Sequence, residues 1–174
     1  MARLPILVAP DPRLKLKAKR VEAVDDALRV LMNNMLETMY DAPGIGLAAP
    51  QVGASVRVVV IDISKDNEPK TPLRMINPEI TWVSDEDNTY EEGCLSVPEH
   101  YADVVRPACV KVRYTDENSQ THELAADGLL ATVVQHELDH LDGVLFVDHL
   151  TSLKRNMILR KLQKAGKSTA GVSL

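Results

Sequence analysis

The chain has 174 residues, of which 45% are apolar and only 3% aromatic, and it carries a formal net charge of -5. This length and composition predict one domain, residues 1–174, built around an aliphatic core. Two cysteines are too few for a disulfide scaffold, no stretch approaches the roughly 20 apolar residues of a membrane span, and residues 1–6 lack the apolar run of a signal peptide. We therefore expect a cytoplasmic protein with no membrane partner.

The charge is unevenly distributed along the chain. Residues 152–174 contain six basic residues and no acidic residue, so the rest of the chain carries -11. A basic segment on an acidic body can bind an anionic partner such as RNA, but it can equally be the solvated face of a helix.

The N-terminal part predicts an irregular arm followed by a helix. Residues 1–24 contain turn-forming prolines and a loosely patterned basic stretch. Asp25 is a suitable helix cap, and residues 41–44 stop the helix. Between them, apolar residues recur at helical spacing: Leu28, Leu31, Met32, Met35, Leu36 and Met39. We interpret this methionine-rich stripe as core.

Residues 44–51, G-I-G-L-A-A-P-Q, have little side-chain bulk, so a ligand can approach their backbone closely. A phosphate loop is excluded because the segment lacks a third glycine and the Gly-Lys-Ser/Thr sequence. A peptide-like ligand lying along the backbone by strand addition is one interpretation, with Gln51 as the polar side chain at the end. The alternative is an ordinary turn with a solvated glutamine.

The middle of the chain predicts strands joined by turns. Strands are expected at 56–63, at 73–78 and 79–83 with a break at Asn77-Pro78, at 104–105, at 109–114 and at 121–124. Turns are expected at 84–88 and 116–119. Taken alone, Cys94 and Cys109 are both best interpreted as small, buried, structural residues.

The segment Q-H-E-L-D-H at 135–140 is the strongest chemical signal in the chain. On a helix, His136, Glu137 and His140 fall within about a 100° arc of one face. Two imidazoles one turn apart can hold a divalent metal, and the carboxylate can move a proton of a water that the metal activates. The many apolar neighbours predict a buried helix from about residue 127 to 141, which argues against solvated side chains or a merely satisfied core histidine.

A last helix is expected from Thr151 or Ser152, with Leu153, Met157, Ile158 and Leu162 on its inner side. From about residue 166 to 174 the sequence favours a flexible tail. Together the elements predict an α+β fold, with mixed or antiparallel strands around a central metal-binding helix and further helices near the N- and C-terminal ends.

The helix supplies only two metal ligands, so a third must come from elsewhere. The pattern H-E-x-x-H-x-x-G-x-x-H fails at Phe146, and no glutamate follows Glu137. The remaining candidates are Asp142, Asp148, His149 and an upstream residue, of which Cys94 is the strongest because thiolates bind borderline metals well.

Three stretches, residues 44–51, 92–96 (E-G-C-L-S) and 135–140, resemble the three signature motifs of the peptide deformylases, in the same order. This family hydrolyses the formyl group from the N-terminal formyl-methionine of new polypeptides and releases formate. By resemblance, Cys94, His136 and His140 bind one divalent metal, which is Fe(II) physiologically, with Zn, Ni or Co as substitutes. The resemblance also implies that Glu137 moves the proton, and that Gln51 and the Leu95 backbone N–H stabilise the oxyanion.

The resemblance further suggests where the substrate binds. The methionine slot is expected at Ile45, Leu129 and Val133. The backbones of Ile45 and Gly46 are expected to pair with the main chain of the substrate. Many bacterial members place an arginine seven residues beyond the cysteine, where this chain has Tyr101. Asp139 points away from the metal face, and we expect it to pair with Arg106.

The partners implied are nascent formyl-methionyl polypeptides and, through the basic last helix, ribosomal RNA, with no DNA. Two other classes remain open on the residues alone. One is a different metallohydrolase such as a small aminopeptidase, and the other is a catalytically idle metal-binding or interaction protein.

Overall fold

The structure, a computed structural model, describes residues 2–172, with side-chain surroundings described through Gly166. The N-terminal arm is irregular except for a 3-10 turn at Pro12–Lys15. Helix α1 spans Asp26–Asp41, and the Asp25 side chain accepts a 2.9 Å hydrogen bond from the Leu28 backbone N–H. Met32, Met35 and Met39 are fully buried, which confirms that the methionine stripe is core.

The strands form two antiparallel sheets. The first contains β1 (Gly46–Ala48), β2 (Val58–Ile61), β3 (Leu73–Val83), β6 (Val110–Thr115) and β7 (Thr121–Ala126), in the spatial order β1-β2-β3-β6-β7. The second is a two-stranded ribbon of β4 (Asp87–Cys94) and β5 (Val97–Pro107). Strand β1 therefore forms one edge of the larger sheet.

Strand β2 shows how the sheet separates two parts of the core. Its four residues are all fully buried, and successive side chains of a strand point to opposite faces. Val58 and Val60 pack in the cluster that contains α1. Val59 and Ile61 pack in the cluster of helix α2, which spans Gly128–Leu141. Helix α2 contacts β1, β2 and β5, so it occupies the predicted central position.

Helix α2 ends where the sequence predicts. Asp142 caps it, and Gly143 has φ 76°, the left-handed conformation that glycine adopts without strain. A Cβ at Gly143 would also clash with the Lys15 backbone carbonyl. The glycine thus lets the N-terminal arm pass close to the end of the metal-binding helix.

The predicted break at Asn77-Pro78 is wrong, because β3 continues through it. Asn77 has φ 51°, and the register with β6 shifts between Ile76 and Glu79, so a bulge absorbs the irregular backbone. The Asn77 side chain bonds both the N–H and the carbonyl of Val21, at 2.8 and 2.9 Å. Strand β5 is also longer than predicted, because it pairs with β4 from Pro107 back to Val97, well beyond the apolar Val104-Val105 pair on which the prediction rested.

The last helix, α3, spans Ser152–Val172. Its inner side is formed by Ile158, Leu159 and Leu162, which pack against the cluster around Phe146. The predicted inner positions Leu153 and Met157 are wrong, with 70% and 46% of their surface exposed, because the helix meets the body along a narrower stripe. The predicted flexible tail, 166–174, stays a prediction: the helical backbone reaches Val172, and residues 173–174 lie outside the described part.

None of the helices in residues 2–172 combines the length and apolar content needed to cross a bilayer.

Candidate active site

The predicted metal ligands come together at the inner end of the ribbon. Helix α2 carries His136 and His140 one turn apart, and Cys94 ends strand β4 directly opposite. One ligand atom from each of the three lies within 4.8 Å of the other two. The Cys94 Sγ and His140 Nε2 atoms are 3.4 Å apart. A tetrahedral ion with ordinary metal–sulfur and metal–nitrogen bonds separates such atoms by about 3.6 Å, so the donors fit one divalent ion.

Two further observations support an ion at this position. Within the described residues, the buried Glu137 Oε1 atom has no hydrogen-bond partner. Burial holds the pKa of His140 well below its usual range, which favours the neutral imidazole that binds metals. Burial alone would also lower the pKa of His136, but hydrogen bonds with Cys94 and Glu92 raise it, so a bound metal would have to displace a proton there. A thiolate with two imidazoles suits zinc and iron equally, so the donor set alone does not choose the metal.

A buried hydrogen-bond network contacts the His136 imidazole on the Nδ1 side of its ring. Its Nδ1 atom lies 2.9 Å from Glu92 Oε1, so its Nε2 atom faces the metal position. The Arg106 guanidinium donates two hydrogen bonds of 2.7 and 2.9 Å to the Glu92 carboxylate, and a third of 2.8 Å to the Asp139 carboxylate. The predicted Arg106–Asp139 pair is thus confirmed. His149 also contacts Asp139, at 2.8 Å, which places it outside the metal ligands.

Glu92 is the functional residue that sequence reasoning missed. Burial alone would raise its pKa, but hydrogen bonds from His136 and Arg106 outweigh burial and lower the pKa to about 2. The carboxylate is therefore charged at neutral pH and orients the imidazole. The signal available in the sequence was its position in the E-G-C-L-S stretch, two residues before Cys94.

Gln51 is almost fully buried beside the metal ligands, at 1% exposed. Its side-chain carbonyl accepts a 2.9 Å bond from the Ala48 N–H, which fixes the orientation of the amide. The Nε2 group then donates to Ser96 Oγ at 3.0 Å and faces Cys94 Sγ at 3.5 Å. Leu95 follows Cys94 and lines the same cavity.

Glu137 lies at the base of the cavity, 5% exposed. Burial raises its pKa to about 7, close to the value that suits a group exchanging protons at neutral pH. The Gly46 backbone runs directly against it, since a Cβ at Gly46 would lie 2.5 Å from Glu137 Oε2. Close approach to this carboxylate is thus a physical reason for glycine within the small-residue segment.

The cavity measures about 580 Å³ and opens from these groups to solvent. All the predicted site residues line the cavity except His140, which belongs to the cluster of three metal ligands but does not line the cavity. Ile45 and Leu129 line the cavity and are about two-fifths exposed, whereas Val133 is buried more deeply. The site therefore combines a cluster of three metal-ligating side chains, a buried carboxylate with a raised pKa, an oriented amide and partly apolar walls.

Comparison with known proteins gives a consistent result. A family model described as polypeptide deformylase matches residues 3–156. The chain is 52% identical over 170 residues to the peptide deformylase of Brucella suis biovar 1, covering 98% of this chain and 97% of the relative. It is 54% identical over 168 residues to that of Phenylobacterium zucineum, covering 97% and 99%.

Solved structures agree with the sequence relatives. The peptide deformylase of Ehrlichia chaffeensis in complex with actinonin superposes with a TM-score of 0.91 at 40% identity, covering 95% of this chain and 98% of that one. That of Legionella pneumophila gives 0.90 at 47% identity, covering 97% and 98%. The predicted α+β fold and the resemblance based on three motifs are both confirmed. The chain belongs to the polypeptide deformylase family, the enzymes that remove the N-formyl group from nascent polypeptides.

Proposed function

We propose that Cys94, His136 and His140 hold one divalent ion, and that Glu137 moves the proton as the formamide bond of formyl-methionyl polypeptides is hydrolysed. The burial of Glu137 on the cavity floor, between the two histidines in sequence, carries this proposal. An ion bound there lowers the pKa of a water and polarises a carbonyl oxygen. The Glu137 carboxylate takes a proton from the attacking water and delivers it to the leaving amine.

The substrate separates this activity from that of a metal aminopeptidase. Formyl-Met-Ala and Met-Ala should be offered to the same metal-loaded sample, with free formate and free alanine measured. We expect formate from the first peptide and no alanine from the second. Release of alanine from Met-Ala, without formate from formyl-Met-Ala, would contradict the proposal.

The metal we propose for the cell is Fe(II), with Zn, Ni or Co as substitutes in purified protein. The support is the resemblance to the family together with the thiolate–imidazole donor set, which accepts each of these ions. Since the substrates are polypeptides in synthesis, we place the reaction in the cytoplasm.

Ile45, Leu129 and Val133 are proposed to enclose the methionine side chain of the substrate. A flexible thioether suits an apolar slot of this kind. Strand β1 is an edge strand, paired with β2 on one side. The backbones of Ile45 and Gly46 can therefore pair with the substrate main chain by strand addition.

The Gln51 amide and the Leu95 backbone N–H are proposed as the donors for the oxyanion that forms on the formyl group. Gln51→Ala should lower kcat about 100- to 1000-fold, the usual effect of removing one such donor, with little change in bound metal. Gln51→Glu keeps the acceptor for the Ala48 N–H but replaces the donor, so it should show a similar loss. Exposed Gln120→Ala is the control. A near-wild-type kcat for Gln51→Ala would end this assignment.

The basic face of α3 is proposed to contact ribosomal RNA. Arg160, Lys161 and Lys164 are exposed and line a shallow groove. Such contacts release counterions, so binding should weaken steeply with salt. Lys161→Glu with Lys164→Glu should reduce co-sedimentation with ribosomes, whereas Lys65→Glu, remote in sequence, should not. Binding that neither salt nor the double variant changes would reject the contact.

A further inference from the structure

A buried carboxylate lies outside the active-site cavity, at the end of strand β2. Asp62 directly follows the last residue of β2, is only 3% exposed and does not line the cavity. Among the described residues, no lysine or arginine forms a salt bridge with it. Burying a carboxylate away from water is costly unless hydrogen bonds replace the water, so this side chain depends on the donors around it.

Three donors from separate segments satisfy the Asp62 carboxylate. The hydroxyl of Tyr40, in the last turn of α1, donates a 2.5 Å hydrogen bond to Oδ2. The backbone N–H groups of Ser64 and Thr71, at the two ends of the loop between β2 and β3, donate bonds of 2.9 and 3.1 Å. Asp62 thus connects the end of α1 with both ends of this loop.

The protonation states of the pair make the tyrosine–aspartate bond a charge-assisted one. Burial alone would raise the pKa of Asp62, but hydrogen bonds from Ser64, Tyr40 and Thr71 outweigh burial and lower it. Burial and the bond to Asp62 raise the pKa of Tyr40, so its hydroxyl keeps the proton that it donates. Hydrogen bonds to an ionised acceptor are roughly twice as strong as those between neutral groups. The Lys70 ammonium also lies 4.7 Å from the centre of the Tyr40 ring, which restrains the ring further.

The backbone of the same aspartate holds a wall of the cavity. The Asp62 N–H donates a 2.9 Å hydrogen bond to the carbonyl of Ile45, which extends the pairing of β1 with β2 by one residue. On the other side, the Gly44 N–H donates a 2.7 Å bond to the carbonyl of Met39 in the last turn of α1. Residues 42–45 are therefore fixed between the end of α1 and the end of β2, and the tyrosine–aspartate bond joins these two ends directly.

The segment held in this way belongs to the active site. Residues 42–46 all line the cavity, and Ile45 is the proposed wall of the methionine slot. A Cβ at Gly44 would lie 2.8 Å from Leu95 Cδ1, so the Leu95 side chain rests against this backbone. A displacement of the segment would thus change the slot.

We propose that Tyr40 and Asp62 are positioning residues, whose side-chain hydrogen bond sets the width of the methionine slot by fixing residues 42–45. The inference rests on the proposed function, because it assumes that Ile45 contacts the methionine side chain of the substrate. Neither member of the pair lines the cavity, so the pair acts through Ile45. The ordinary alternative is a bond that stabilises the fold without any effect on the slot.

The test compares Tyr40→Phe with the wild type on metal-loaded enzyme, with formyl-Met-Ala and formyl-Ala-Ala as substrates. The variant keeps the ring beside Lys70 but lacks the hydroxyl. We expect KM for formyl-Met-Ala to rise about fivefold, which corresponds to roughly one hydrogen bond in affinity, with kcat little changed. The kcat/KM for formyl-Ala-Ala, whose methyl group does not fill the slot, should change by less than about twofold, so the ratio between the two peptides falls.

A second variant and a matched control separate the pair from a general loss of stability. Asp62→Asn removes the charge from the other partner and should lower the ratio in the same way, and combining it with Tyr40→Phe should add little, since both changes break one bond. The control, Tyr114→Phe, removes the hydroxyl of a buried tyrosine outside the cavity and should keep the wild-type ratio.

Amide hydrogen exchange measures the wall itself. In Tyr40→Phe, residues 42–47 should exchange faster than in the wild type, whereas residues 110–115 of β6 should not change. A merely stabilising bond would alter exchange in both segments or in neither.

An unchanged ratio of kcat/KM for the two peptides in both Tyr40→Phe and Asp62→Asn would overturn the positioning role while leaving deformylation intact. A lower urea midpoint together with that unchanged ratio would show that the bond only stabilises the fold. Absence of formate from both peptides with the wild type would instead remove the proposed function, so the two failures are distinguishable.

Discussion

Replacing Glu137 by Gln should reduce kcat for formate release about 100- to 10,000-fold, the range expected when a positioned acid–base group is lost. The amide of glutamine has the size of the carboxylate but cannot take up a proton from water. Because the shapes match, the close contact between Gly46 and residue 137 is retained, and the metal content should remain that of the wild type. The measurements are steady-state kinetics with formyl-Met-Ala and metal analysis of the same sample.

A separate control shows that the loss is chemical rather than structural. Glu123→Gln, on the exposed side of β7, should keep full activity, and the Glu137→Gln protein should unfold at the same urea concentration as the wild type or a higher one. A stabilised variant would agree with a buried, unpartnered carboxylate oxygen that costs free energy in the folded protein. If Glu137→Gln kept a kcat within a few-fold of the wild type, another group would have to move the proton.

Replacing Glu92 by Ala should lower both the stability of the protein and its metal affinity, although Glu92 is not itself a metal ligand. Arg106 is only 6% exposed and would lose the carboxylate to which it donates two hydrogen bonds. Breaking a buried pair by removing one partner costs about 3–5 kcal/mol of unfolding free energy. The His136 imidazole would also lose its acceptor, which lowers metal affinity about 10- to 100-fold in comparable sites.

Urea unfolding of the metal-loaded protein measures the first effect, and competition with a chelator measures the second. Glu91→Ala, the exposed neighbour of Glu92 on the same strand, is the matched control and should change neither quantity. Unchanged stability and unchanged metal affinity in Glu92→Ala would show that the network does not orient His136.

The local parts of this structure could be predicted because periodicity alone determines them. The methionine stripe of α1 and the spacing of His136, Glu137 and His140 each follow from 3.6 residues per helical turn. The pairing of Asp139 with Arg106 was also expected, since the helix turns Asp139 away from the metal. The first two inferences need one element and its direction, whereas the third joins residues 33 positions apart, and the structure confirms all three.

Features that depend on the meeting of distant segments could not be derived in the same way. Taken alone, Cys94 resembles a buried structural residue. The search for a third ligand made it the strongest upstream candidate, and the resemblance to a family then identified it as a ligand. Its contact with His140 joins positions 46 residues apart. The exposed Leu153 and Met157 were misassigned because an apolar pattern gives the face of a helix but not how much of that face meets the body.

The break expected at Asn77-Pro78 illustrates a local rule that tertiary contacts override. Proline usually interrupts a strand, but here a bulge and the hydrogen bonds of Asn77 to Val21 maintain the pairing on both sides. Glu92 was missed because its role depends on Arg106, which neutralises it from 14 residues away. Nothing next to Glu92 in the sequence indicates that pairing.

The most direct test of the metal centre is to measure metal content and formate release on the same anaerobically purified sample. We expect activity on formyl-Met-Ala to rise in proportion to bound divalent metal up to one ion per chain, to disappear with a chelator and to return when Fe(II) is added. Cys94→Ala should neither hold the ion tightly nor recover. Full turnover by metal-free protein, or by Cys94→Ala, would contradict the assignment of Cys94, His136 and His140 as the centre of this enzyme.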